Sequence, residues 1–591
     1  SIVIVCDAAI LLSKRYAQAC RDKRRETTDP VRAAELDEMA DSFDRIMEQP
    51  CQSFHDVVQA TYLYQLLLTL DGSLHGISYG RFDQYAYPYL RRDLDSGRLT
   101  KQQAQELIDC FFLKICEMFK ARPETMSRGC GGYTSGQQMS LGGVDRDGND
   151  ATNELSYMLL EASARLVLHS PPLSLRVHSG TPKKLWECAV ETTRRAGGIP
   201  TFQSDDVIIP MMMKNGFTLE EARDYCIIGC VEPGGSGNDF TSAGGPHAKS
   251  YLNLANCVNL AVNNGVNPMN GVQAGLKTGY LYEMQSFDEV KDAYRKQVEY
   301  FVDWHVSLCN LMQYVTSSII PLPIASATID GCMESGCDVT NGGALHTGCG
   351  SAAIACATVG NSLAAIRYAV FDKKICTARE LYDAWMANWE GYEPLRLRLQ
   401  NEAPKYGNGD READLLTSWA MDIYAEHFNH AKLQLGQPHA GMVSVSSHIP
   451  MGQGTFATLD GRRTGTPLSD GISPVQGSDR KGPTAVLAGA AALRQDHVYN
   501  GTLLNMKFHP RSVAGQEGLD KLEELVNTYF KNGGMHIQYN IIGSDTLRDA
   551  QKHPERYRDL VIRIAGFSAY FVELYKDLQD DLISRTDQEV G

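Results

Sequence analysis

The residues with the greatest chemical potential in this sequence are a cysteine, a carboxylate and a glycine. Cys230 lies in Tyr225-Cys-Ile-Ile-Gly-Cys-Val-Glu-Pro233, followed by Gly234, Gly235 and Gly237. Glycine and proline on both sides require a loop whose backbone approaches something closely. In an extended stretch residues i and i+2 project to the same side. Cys230 and Glu232 would then bring a thiol and a carboxylate to one small molecule. The glycine is Gly566, in Arg563-Ile-Ala-Gly-Phe-Ser-Ala-Tyr-Phe571. With no side chain, its Cα can flatten if a hydrogen atom is removed, and the flanking amide and carbonyl delocalise the unpaired electron. Oxygen would destroy such a radical, so it must be buried. Taken singly, each segment has a plainer reading: an inert buried cysteine, and a bulge or helix cap around the glycine.

Other motifs carry less. Cys226 and Cys230 form C-x3-C, but no further cysteine follows at short spacing, which disfavours an iron–sulfur cluster. Asp145-Arg-Asp-Gly-Asn-Asp150 resembles the start of a calcium loop, yet the bidentate acid is out of place, so a tight turn is expected. Gly452-Gln-Gly454 lacks the strand-then-helix setting of a dinucleotide site.

The elements that must position these residues divide into two textures. Apolar residues at helical spacing predict helices over Val31–Met47, Phe54–Leu70 and Gln102–Phe119. From about Leu141, helical stretches (Asn153–Val167, Pro182–Arg195) alternate with short apolar runs (Leu173–Val177, Pro200–Phe202), which predicts an α/β architecture with a sheet or barrel inside. The stretch Leu459–Asp479 is rich in Gly, Pro, Ser and Asp. It is expected to be a long loop, with a domain boundary dividing 1–460 from 461–591. Beyond it, helices are expected over Pro483–Leu493 and Leu519–Lys531, then a strand over Met535–Ile542.

Composition bounds the partners. The chain has 591 residues, 56 Lys+Arg against 71 Asp+Glu, and a net charge of -15. That balance disfavours nucleic acid and anionic lipid surfaces. No apolar run reaches the ~20 residues of a membrane helix, and the opening segment lacks the basic start and cleavage site of a signal peptide. Sixteen cysteines in so long a chain suit reduced thiols in a cytoplasmic setting rather than a disulfide scaffold.

Together the motifs resemble the glycyl radical enzyme family, of the pyruvate formate-lyase type. The resemblance rests on Gly80-Arg-Phe-Asp-Gln84, Leu141-Gly-Gly143, Gly229-Cys-Val-Glu-Pro233, Gly461-Arg-Arg through Pro467-Leu-Ser-Asp-Gly471, Gly482-Pro-Thr, Leu503-Leu-Asn-Met506 and Arg563–Phe571, in family order over essentially the whole chain. It implies a ten-stranded α/β barrel made of two antiparallel half-barrels and surrounded by helices, with the Cys230 and Gly566 loops meeting at its centre. It also implies an N-terminally truncated barrel, the chain starting inside the family's early strands.

By the same resemblance, Gly566 stores a radical and Cys230 exchanges a hydrogen atom with it. The resulting thiyl radical attacks a small-molecule substrate, and Glu232 is a general base. No C-x3-C-x2-C motif is present, so a separate radical-SAM activating enzyme, using S-adenosylmethionine and an iron–sulfur cluster, would install the radical. No bound cofactor or metal is expected, and a homodimer is. Gly229 and Val231 flank Cys230 where pyruvate formate-lyase carries adjacent cysteines, which favours the Cys-Val-Glu lyase and dehydratase branch over formate acetyltransferase chemistry. Around Leu74-His75-Gly76 and Pro246-His247-Ala248 the chain resembles diol dehydratases, so His75 and His247 are candidate substrate ligands. Gly76 and Ala248 stand where those enzymes carry Ser and Asp, which argues against glycerol and propanediol as substrates.

Overall fold

The computed structural model describes residues 2–72, 76–119, 121–131, 136–241 and 250–589. The first region is helical: Ile2–Glu26, for which no helix was expected, then Pro30–Arg45, Phe54–Asp71 and Lys101–Cys116, where periodicity predicts helices. Their starts are set by side chains that accept otherwise orphaned backbone N–H groups. Asp29 caps the second of these helices, Ser53 the third, and a Thr100/Gln103 capping box the fourth.

Fourteen strands follow in chain order among the described residues. They are β1 (Met139–Gly142), β2 (Leu173–Val177), β3 (Thr201–Ser204), β4 (Cys226–Ile228), β5 (Glu232–Gly234), β6 (Asp239–Phe240), β7 (Ser250–Asn253), β8 (His346–Ile354), β9 (Gln437–Gly441), β10 (Asn505–Phe508), β11 (His536–Ile541), β12 (Val561–Arg563), β13 (Ser568–Tyr570) and β14 (Asp587–Gln588). Two parallel runs form the interior. In one, Gly80 bridges β1, and β1, β2 and β3 lie side by side. In the other, β11 pairs with β10, a bridge between Met442 and Thr502 leads to β9, and β9, β8 and β7 continue the run. The runs meet antiparallel where β3 pairs with β11, Phe202 opposite Ile537. This is the arrangement of two opposed half-barrels. Helices such as Glu154–Leu166 and Lys183–Arg195 cover the outside, and the strands are buried on both faces.

Several motifs are structural fasteners. Arg81 is buried, pairs with Asp224 at 2.9 Å, and donates to the carbonyls of Gly142 and Val144. Asp83 accepts from the Gly142 N–H at 2.8 Å. Gly143 has φ +73, and a Cβ there would lie 2.6 Å from Nε of Arg176. That guanidinium is itself fully buried in a two-point pair with Asp205. The predicted calcium-like segment is a tight turn, with Val144 bridging Asp150 and the Asp145 N–H donating to the carbonyl of Asn149 at 2.8 Å.

The stretch Leu459–Asp479 is irregular, as expected, but it is packed. Leu459, Leu468, Ser469 and Ile472 are fully buried. Arg462 donates to the carbonyls of Gly452, Phe456 and Pro467. The chain's last helix, Lys576–Ser584, is tied to this stretch by buried charges. Arg585 lies 2.9 Å from Asp470 and 3.0 Å from Asp581, and Asp581 lies 3.3 Å from His448. Burial alone would raise the Asp581 carboxyl. The facing His448 and Arg585 more than offset it and hold the group well below its ordinary 3.8. A depressed carboxylate contributes stability that is complete above its unfolded pKa and is lost as pH falls through the folded one. Asp581→Asn, which leaves Arg585 still paired with Asp470, is expected to cost about 1.5–3 kcal/mol in denaturant unfolding at pH 7. The deficit should shrink as the pH is taken below ~4; a deficit independent of pH would contradict the pairing.

Candidate functional site

Cys230 and Gly566 each occupy the tip of a β-hairpin. β4 and β5 pair antiparallel, Ile228 opposite Glu232, with residues 229–231 as the turn. β12 and β13 pair antiparallel, Arg563 opposite Ser568, with residues 564–567 as the turn and Ile564 N–H donating to the carbonyl of Phe567 at 2.9 Å. The segment around Gly566 is therefore a hairpin turn, neither a helix cap nor a bulge in a longer strand. Gly566 has φ +75, where a side chain is strained, and a Cβ added to it would lie 2.4 Å from both the Cβ and the carbonyl oxygen of Cys230. The two tips touch at a position where a side chain cannot fit. Cys230 is fully buried, as are Ile564 and Ala565 beside the glycine.

The carboxylate is close, though not through strand alternation. Cys230 is in the turn and Glu232 opens the returning strand. The Glu232 side chain folds back so that Oε2 accepts the N–H groups of Cys230 at 2.7 Å and Val231 at 2.8 Å. It is 1% exposed. Cys226 lies at the far end of the hairpin, opposite Gly234, with burial pushing its thiol up to about 11. His75 and His247 lie outside the described residues.

Residues that carried no signal in the sequence complete the site. The amide of Gln138 donates to the carbonyl of Cys230 at 2.9 Å and also to the carbonyl of Gly566. The amide oxygen of Gln538 accepts the Gly566 N–H at 2.9 Å and Nε of Arg563 at 3.1 Å. Arg563 is fully buried, and its guanidinium bonds Gln538 and the Ser568 hydroxyl rather than a carboxylate among the described residues. Burial lowers its guanidinium to about 9.

A cavity of about 720 Å³ adjoins this region, a volume suited to a small molecule. Its wall includes Ser78–Arg81, Cys226, Ile228 and Asp239–Thr241. Gly72 and Gly76 also line it. Burial pushes the Asp239 carboxyl up to about 7. No group of three or more metal-ligating side chains occurs among the described residues.

Residues 1–452 match the family model described as pyruvate formate lyase-like, and residues 468–572 match the glycine radical model. The chain belongs to the glycyl radical enzymes. It is 37% identical to (2S)-3-sulfopropanediol dehydratase of Klebsiella oxytoca over 99% of this chain and 71% of that protein. It is 33% identical to trans-4-hydroxy-L-proline dehydratase of Clostridioides difficile, over 100% of this chain and 74% of that one. The structure of the B12-independent glycerol dehydratase of Clostridium butyricum, with glycerol bound, superposes at TM-score 0.96 with 38% identity, covering 100% of this chain and 74% of that chain. The chain is accordingly a glycyl radical enzyme of the dehydratase and lyase kind.

In this glycyl radical enzyme the Glu232 carboxylate holds the shape of the cysteine loop. Glu232→Ala leaves the buried N–H groups of Cys230 and Val231 without their acceptor, each costing about 1–3 kcal/mol. Native-state hydrogen exchange should show both amides losing protection by roughly tenfold or more in Glu232→Ala. Glu232→Gln, which keeps an acceptor oxygen, should stay near wild type. Equal protection in all three proteins would contradict the contact.

Proposed function

We propose that Gly566 stores the radical, Cys230 becomes the thiyl that attacks substrate, and Glu232 is the general base. The observation that carries this is the collision at the two hairpin tips: a Cβ on Gly566 would lie 2.4 Å from Cys230. A hydrogen atom can pass from the Cys230 thiol to the Gly566 Cα with no intervening group. The thiyl sulfur then takes a hydrogen atom from a substrate C–H bond. Glu232 accepts a proton from a substrate hydroxyl, and the neighbouring C–O, C–N, C–S or C–C bond breaks. The leaving group departs with that proton. The product radical regains a hydrogen atom from the thiol, so the thiyl is restored and the net reaction is an elimination. Burial of both tips excludes water and oxygen, which the chemistry requires.

The substrate is a small polar molecule carrying a hydroxyl beside the bond that breaks. Gly76, at φ +81, offers no side-chain hydroxyl, which supports a substrate other than glycerol or propanediol. A separate S-adenosylmethionine-dependent activating enzyme installs the radical. The enzyme is a cytoplasmic homodimer, on the resemblance and the reduced thiols. The loop around residue 460 joins the barrel region to the glycine radical region, a division supported by where the two family models end and begin.

The test is anaerobic activation followed by electron paramagnetic resonance and a substrate panel of diols, hydroxyproline, choline, isethionate, arylacetates, and pyruvate with coenzyme A. A glycyl doublet is expected that is absent in Gly566→Ala. Cys230→Ala should retain the doublet with turnover lost. Release of formate and acetyl-coenzyme A from pyruvate would overturn the elimination.

A further inference from the structure

The two peptide groups that flank the Gly566 Cα are each held by a fully buried glutamine. Gln538 accepts the Gly566 N–H at 2.9 Å, and Gln138 donates to the Gly566 carbonyl. Neither amide can turn over without conflict. The oxygen of Gln538 faces two donors, the Gly566 N–H and Nε of Arg563, while its NH2 faces the side-chain oxygen of Asn505 and the carbonyl of Ile564. The oxygen of Gln138 accepts from the Ser174 hydroxyl at 2.9 Å, and its NH2 faces two carbonyls. A flip would set oxygen against oxygen on one side and N–H against N–H on the other. Asn505 is fixed in turn by Asp470, whose Oδ2 accepts from it at 2.6 Å.

We infer that Gln138 and Gln538 are positioning residues that tune the stored radical by polarising its two flanking amides in opposite senses. This rests on Gly566 being the radical site. An unpaired electron on the glycine Cα is delocalised by donation from the nitrogen on one side and withdrawal into the carbonyl on the other. A hydrogen bond accepted from the N–H makes the nitrogen a better donor. A hydrogen bond given to the carbonyl makes it a better acceptor. Gln538 supplies the first and Gln138 the second, and in a buried site such polarisation is undiminished by water. Arg563 strengthens the arrangement by fixing the oxygen of Gln538 towards the glycine. Gln138 has a second effect, because the same NH2 holds the Cys230 carbonyl and so keeps the two tips in register.

The experiment is electron paramagnetic resonance of the anaerobically activated full chain, reading the Cα–H splitting of the doublet and its lifetime under argon. In Gln538→Leu and Gln138→Leu, spin should concentrate on the Cα. The splitting should widen and the lifetime should fall by roughly five- to tenfold, the worth of one buried hydrogen bond. Gln538→Glu keeps the acceptor oxygen and makes it charged, at the cost of setting its second oxygen against the side-chain oxygen of Asn505 and the carbonyl of Ile564; where that variant folds, its splitting should be no wider than wild type. Where Gln138→Leu does not fold, Ser174→Ala removes only the hydroxyl that orients the amide and should widen the splitting to a smaller degree. A merely structural role would change the yield of folded protein and leave the splitting alone. Unaltered splitting and lifetime in the folded variants overturn the inference while radical storage stands. A doublet that survives Gly566→Ala, or no wild-type doublet at all, overturns both.

Discussion

The structure depends on one contact: a glycine Cα pressed against a cysteine at the meeting of two hairpin tips. At Gly566 a Cβ would fall 2.4 Å from Cys230, well inside any tolerable approach. That steric fact excludes the other nineteen side chains, and the left-handed backbone at φ +75 is one that glycine adopts freely. The two hairpins are far apart in sequence, so the surrounding barrel exists to bring their tips together. The antiparallel junction of β3 and β11 and the buried fasteners around Arg81 and Arg176 fix one side. The buried charges of Asp470, Asp581 and Arg585 anchor the other.

The polar groups at the contact work on the backbone. Glu232 accepts two N–H groups of the cysteine turn, Gln138 spans the carbonyls of both tips, and Gln538 takes the glycine N–H. Tight turns leave backbone groups unpaired, and here those groups are buried where water cannot serve them. Side-chain amides and one carboxylate do so instead. The same interactions that stabilise the turns also set the electron distribution around the proposed radical carbon, so stability and reactivity share one set of hydrogen bonds.

Much of this was legible in the sequence, and the exceptions have physical causes. Helices followed from apolar residues at helical spacing, and the strands, buried on both faces, from short apolar runs; Phe54–Asp71 and β2 lie within a residue or so of expectation. Cys230, Glu232 and Gly566 stood out because their neighbours, Gly229, Pro233 and the apolar run Ile564–Phe571, are unusual in kind. The direction of Glu232 was misjudged, because alternation assumes a strand and Cys230 is in a turn, so the carboxylate bends back instead of lying parallel to the thiol. The stretch at 459–479 reads as a long loop by composition, yet it is buried, with Arg462 donating to four carbonyls. Gln138 and Gln538 were invisible. A glutamine has no local signature, and its value comes from backbone groups elsewhere in the chain, 428 residues away for Gln138 and 28 for Gln538 at Gly566.

The most direct measurement is entry of deuterium into the glycine. A thiol exchanges its hydrogen with water readily, whereas a glycine Cα–H does not, so in D2O the label can reach Gly566 only by way of Cys230. The radical signal of the activated enzyme should collapse from a doublet to a single line in D2O, and should remain a doublet in Cys230→Ala. Collapse that proceeds unchanged without Cys230, or a doublet that never collapses in the intact enzyme, would show that no hydrogen atom crosses between the two tips.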